Sequence, residues 1–161
     1  MPKEITPIST YLSPDHIQVK FVAPDKNAAI ERLLSNLEGH PAVSDLSAVS
    51  AAIFKRESVM STGVGKCLAL PHAKTDAVSG IAISLGIAEE GIPFESIDDQ
   101  PVRILLLMVA PTDAALQHIR LLGHVSRLMN RETFRNRLLH APDTAAVLRY
   151  FEEEEERMRE E

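Results

Sequence analysis

Apolar residues recur along this chain with two different periods. Ala29, Ile30, Leu33, Leu34 and Leu37 are spaced as one face of a helix, and so are Leu46, Val49, Ala52 and Ile53. Asp25 stands where the first of these helices needs an N-cap, Ser44 or Asp45 does the same for the second, and Gly39 can end the first. The second helix is expected to run out near Arg56. Further on, the pattern predicts a helix over Asp113 to Met129, a shorter one over Glu132 to Leu139, and a last one opened by Ala141-Pro142-Asp143. Ile17 to Val22 instead alternates apolar and polar residues, the period of a half-buried strand. Short strands are also expected at Leu68 to Leu70, Ile81 to Ile87 and Val102 to Ala110. Within the last, Ile104 to Ala110 shows no polar alternation, which marks a central strand covered on both faces. Gly91-Ile92-Pro93 and Ser96 to Pro101 read as turns.

Helices before and after a short, mostly buried sheet imply an α/β protein of three layers, an α/β/α sandwich. The pattern divides the chain into a lead-in at 1–15, one domain at 16–151 and an acidic tail at 152–161. That tail holds seven Glu against two Arg and is expected to be a frayed, solvated helix end.

At 161 residues there is room for one domain with a single core. With 45% hydrophobic and 25% charged residues, the chain has the balance of a soluble globular protein rather than a disordered one. A net charge of −6, no Trp and two Tyr argue against nucleic-acid binding. No apolar run is long enough for direct membrane insertion, and no signal peptide is visible, so a cytoplasmic location is expected. The single Cys67 excludes an intrachain disulfide and has no Cys-x-x-C partner. No metal site, cofactor motif or P-loop pattern appears.

The candidate chemistry lies in one stretch, Arg56 to Lys74. Gly63 and Gly65 allow backbone N–H groups to approach a ligand, and Ser61 and Thr62 add hydroxyl donors. Pro71 fixes its own φ and biases Leu70 to an extended shape, so His72 sits on a stiff backbone. A stiffly held imidazole among anion-binding groups suits a nucleophile that carries a phosphoryl group. That chemistry requires a neutral ring with one free nitrogen, the other donating to a fixed acceptor.

Arg56-Glu57, Ser61-Thr62-Gly63-Val64-Gly65 and Ala69-Leu70-Pro71-His72 together resemble the active-site signature of the type-2 IIA components of the bacterial sugar phosphotransferase system (PTS), the fructose, mannitol and nitrogen-regulatory IIA proteins. The resemblance extends from about Ile17 to Tyr150 and takes in Ile92-Pro93-Phe94, Asp98 to Val102, Val109-Ala110-Pro111 and His118. It implies the mannitol-IIA-like fold with a small mixed sheet. It also implies a protein-histidine phosphoryl transferase: His72 accepts the group from an HPr-like phosphocarrier protein and passes it to a IIB component in sugar uptake. The alternative is a stand-alone nitrogen-type protein that binds other proteins according to its phosphorylation state. By the same resemblance Nε2 is the attacking nitrogen, His118 the second active-site histidine and Arg56 the active-site arginine. Ser61, Thr62, Gly63 and Gly65 are the expected phosphate-binding positions. Lys66-Cys67 departs from the family, where Asn-Gly is common.

Overall fold

The computed structural model describes residues 7–94 and 96–161. The first six residues of the expected lead-in lie outside the described residues; the rest forms two short 3₁₀ turns, Ile8–Tyr11 and Pro14–His16. Strand β1, Ile17–Gln18, is shorter than the alternation predicts. Lys20 breaks it by taking a left-handed φ of 54°, although Phe21 still donates its N–H to Ile87. Helix α1 (Lys26–Ser35) is capped by Asp25, which accepts from the Ala28 N–H, and α2 (Leu46–Val59) is capped in the same way by Asp45.

Four pieces of strand follow. They are β2 (Gly63–Gly65), β3 (Leu68–Ala69), β4 (His72–Lys74) and β5 (Ala82–Ile92), before the central β6 (Val102–Ala110). The long β5 runs through Gly91-Ile92, which the sequence reading leaves as a turn. The remaining helices are α3 (Ala115–Met129), α4 (Glu132–Leu139) and α5 (Thr144–Arg159).

The sheet is mixed, in the order β1-β5-β6-β3-β2, with β4 also paired to β6. Strands β3 and β4 run parallel to β6 one after the other: Leu68 and Ala69 lie opposite Ile104 and Leu105, and His72 to Lys74 opposite Met108 to Ala110. They amount to one strand interrupted at Leu70-Pro71. Pro71 has no N–H to give, but its carbonyl still accepts from Met108, so the chain keeps its place beside β6 through the break. His72 is thereby delivered at the start of β4.

Alternating residues of the sheet feed two cores. Ile104, Leu106, Met108, Ile83, Leu85 and Ile87 pack with α3, α4 and α5, whereas Leu105, Leu107 and Val109 face α1 and α2. From Ala82 to Ala88 the face of β5 toward α1 carries small residues, Ala82, Ser84, Gly86 and Ala88, before Ile92 joins the same core. Buried Ser84 donates its hydroxyl to the Leu33 carbonyl at 2.7 Å. At Gly86 the Phe21 ring lies so close that a Cβ would meet it at 2.7 Å, so only glycine fits there. The three layers are those expected from the pattern.

The C-terminal end differs from its expectation. Residues 152–159 continue α5 without a break, and Glu154 and Glu155 are 2% and 3% exposed. Glu155 accepts from the backbone N–H groups of Ile8 (2.7 Å) and Ser9 (3.0 Å) and lies 2.7 Å from His124 Nε2. Glu154 faces Arg131 and Arg157. A buried carboxylate is tolerable only with such partners, and the end of α5 has them. It is therefore packed structure rather than a solvated fray.

Candidate active site around His72

Leu70 turns its carbonyl toward the ring two residues on. His72 Nδ1 lies 2.6 Å from that oxygen. A carbonyl can only accept, so Nδ1 carries the proton, and in the neutral ring Nε2 keeps its lone pair. Burial lowers the His72 pKa below the usual 6.5, and the Arg56 charge adds to this; the Leu70 carbonyl and Glu57 pull the other way without cancelling it. At neutral pH the ring is uncharged and of fixed tautomer, with the Nε2 lone pair free.

On β4 the residues alternate in direction, so His72 points to the same side of the sheet as its neighbour Met108, the side covered by α3. There it meets His118, with ring centroids 5.4 Å apart and planes at 70°. His118 is 4% exposed, and its Nε2 has no hydrogen-bond partner among the described residues. Burial, His72 and the Lys74 charge lower its pKa to about 4. Helical spacing puts Leu121, Leu122 and Val125 on one stripe with His118; His118, Leu121 and Val125 are buried, and Leu122 is half-buried against the same core.

Arg56 sits in the last turn of α2, which runs three residues beyond it to Val59. Its Nη1 donates to the Met60 carbonyl at 3.1 Å, a cation at the negative end of the helix. The loop that follows is organised by Glu57, which the sequence reading quotes only as part of the motif. Glu57 is buried and accepts the Thr62 N–H (2.9 Å), the Thr62 hydroxyl (2.7 Å) and the Lys26 ammonium (3.1 Å). Both Thr62 donors are thus directed at Glu57 rather than outward, and the Gly63 N–H is given to Ser61 Oγ. The legible signal for Glu57 was its place on the stripe of Val49 and Ile53, four residues apart.

Gly65 has a φ of +89°, and Lys66 and Cys67 follow at +54° and +59°. This is the tight turn between β2 and β3, and two successive left-handed residues favour Asn and Gly, where this chain carries Lys66-Cys67. Lys66 holds the strained position with its N–H on Asp98 (3.1 Å) and its ammonium on Asn130.

Several large apolar side chains on these elements are exposed: Val59 and Met60 at the end of α2, Val64 in β2, Ile97, whose N–H bonds to the Gly63 carbonyl, and Leu116 and Ile119 on α3. Two surface clefts, one against α1 and one beside Phe94, include neither histidine. Among the described residues no helix is long and apolar enough to cross a membrane.

Because the His118 pKa lies near 4 in the folded chain and near 6.5 when free, the unfolded chain binds the proton more readily between those values. Stability therefore falls as pH drops from about 6.5 to about 4 and levels off below. Urea midpoints measured across this range should show that slope, and His118→Gln should reduce it.

A family model described as "Phosphoenolpyruvate-dependent sugar phosphotransferase system, EIIA 2" matches residues 10–154, and the chain belongs to this family. It is 34% identical over 144 residues to the PTS system fructose-specific EIIA component of Haloferax volcanii, covering 89% of this chain and 94% of that one. It is 33% identical over 141 residues to the PTS system fructose-specific EIIABC component of Bacillus subtilis, covering 88% of this chain but only 22% of that longer protein. Among solved structures, nitrogen regulatory protein IIA-Ntr from Neisseria meningitidis superposes with a TM-score of 0.83 at 22% identity, over 89% of this chain and 98% of that one. IIA-mannitol of Escherichia coli, solved in complex with phosphorylated IIB-mannitol, gives a TM-score of 0.76 at 22% identity, over 88% and 97%. The fold is that of the family, as the sequence resemblance implies.

Proposed function

We propose that this chain is a phosphocarrier whose His72 Nε2 accepts a phosphoryl group from the phosphohistidine of an HPr-like protein and passes it to a IIB component. The observation that carries this reading is the Nδ1–H bond to the Leu70 carbonyl, which leaves Nε2 with its lone pair on a ring that meets the neutral His118, whose Nε2 has no hydrogen-bond partner among the described residues. The Nε2 lone pair attacks phosphorus in line; the N–P bond of the donor breaks, and the electron pair leaves with the donor imidazole. No proton need move on His72, because Nδ1–H stays on Leu70.

Catalysis then consists of positioning and charge. Arg56 supplies fixed positive charge near the phosphoryl oxygens, and His118 a polar ring nitrogen with no partner among the described residues. In this reading Gly65, Gly63 and Ser61 face the phosphoryl group by small rearrangements of the loop. Thr62 acts mainly by anchoring that loop to Glu57. The exposed apolar side chains fit a protein donor, whose own histidine must come within bonding distance of His72.

A regulatory role uses the same phosphoryl step and differs only in the acceptor, which is then a protein bound according to the state of His72. The two roles separate when the phosphorylated chain is mixed with a fructose-type IIB domain. Rapid loss of phosphate to IIB supports transport, and retention supports regulation. Failure to take up phosphate from any HPr-like donor overturns both.

A further inference from the structure

Helix α3 carries His118 but has no side-chain cap at its N-terminus, where Ala114 ends the short turn Thr112–Ala114. Its orientation must therefore come from lateral contacts. Two of these are polar and lie on one line. Gln117 Nε2 donates to the Tyr11 hydroxyl at 2.6 Å, and seven residues on, His124 Nε2 meets Glu155 at 2.7 Å. Seven residues bring a helix back to within about 20° of the same direction, so both contacts grip one face.

The two grips belong to one assembly. Glu155 also accepts the N–H groups of Ile8 and Ser9, which fixes the turn that presents Tyr11. Ile8 is fully buried in the core beside α3 and α5. Burial works against the Glu155 charge, but the bonds from His124, Ser9 and Ile8 outweigh it and lower its pKa.

We propose that the N-terminal turn Ile8–Tyr11, clamped by Glu155, sets the rotation of α3 about its axis and so holds His118 against His72. Tyr11, Gln117, His124 and Glu155 are then positioning residues for phosphoryl transfer. His118 lies about 100° around the helix from Gln117. With side chains reaching some 5–6 Å from the axis, a rotation of about 20° moves its ring by roughly 2 Å. Displacements of about 1 Å can cost around a hundredfold in rate, so the grip need fail only slightly to be felt.

This inference rests on the phosphocarrier reading, and the experiment separates the two. Glu155→Gln and Tyr11→Phe are compared with the unaltered chain in single-turnover transfer from an HPr-like donor and by ring ¹⁵N shifts of His118. In Glu155→Gln the maximal rate should fall about ten- to a hundredfold, and in Tyr11→Phe several-fold. The donor concentration for half-saturation should hold in both, and the His118 shifts should move while His72 keeps its Nδ1–H signature. A purely structural role would lower the melting temperature and leave rate and shifts alone in the folded variants, which overturns the proposal. If Glu155→Gln does not fold, Tyr11→Phe decides, since it deletes one surface hydroxyl. If the unaltered chain takes up no phosphate, the phosphocarrier reading fails by itself. The His118 shifts then decide the strut: unmoved shifts reject it, and moved shifts support it.

Discussion

A chain that stops at Phe151 melts far below the intact protein. The deletion removes Glu155, and with it the acceptor for the Ile8 and Ser9 N–H groups and the partner of His124. His124 is only 4% exposed, so its ring nitrogen is left in the core with nothing to bond. Breaking a buried pair by removing one partner costs about 3–5 kcal/mol, and for a domain of this length that lowers Tm by roughly 6–20 °C. Arg131 loses Glu154 and Glu161 in the same step, and the Met158 side chain leaves the core it packs against. The exposed pairs Arg149–Glu153 and Arg159–Glu156 add little. Glu155→Ala should reproduce most of the loss, whereas Glu152→Ala, on the solvated face, should leave Tm nearly unchanged. Thermal melts of the three variants check this. An unaltered Tm in the truncated chain would return 152–161 to a solvated appendage.

Replacing His118 with Ala slows phosphoryl transfer by about two to three orders of magnitude and leaves His72 able to accept. The neutral ring sits with its centroid 5.4 Å from that of His72, and its Nε2 has no hydrogen-bond partner among the described residues. Loss of one preorganised donor in a transition state costs about 2.7–4 kcal/mol. The variant also opens space beside His72, so the control is His118→Gln, which keeps a polar group in the core. Stopped-flow transfer with saturating donor distinguishes the cases. A rate within twofold of the unaltered chain would assign His118 to packing alone.

Much of this architecture was legible. The stripes of α1 and α3 and the uninterrupted apolar run of β6 need no tertiary information, and Asp25, Asp45 and Asp143 cap the helices they precede. His72 stood out as a candidate because Pro71 stiffens the backbone just before it and the nearby glycines let backbone N–H groups approach a ligand. What escaped reading was polar residues on apolar stripes. On α5 the inward face of Val147 and Phe151 continues through Glu154, Glu155 and Met158 at helical spacing. Five successive glutamates suggest solvent, because net charge says nothing about which of them has a partner 31 or 147 residues away. Glu57 escaped for the same reason, one turn beyond Ile53. The division of the sheet edge into β3 and β4 is set by register against β6, which no local pattern contains. Thr62 was legible as a donor, but not that Glu57 accepts both of its hydrogen bonds.

The central claim is that a phosphoryl group resides on Nε2 of His72. Long-range ¹H–¹⁵N spectra of the six histidine rings, recorded before and after incubation with a phosphorylated HPr-like donor, test it most directly. The account predicts that one ring takes up an acid-labile phosphate at Nε2, that its Nδ1 stays protonated on the Leu70 carbonyl, and that His72→Ala abolishes the signal. Phosphate at Nδ1 of His72, on another residue, or still present in His72→Ala would contradict it.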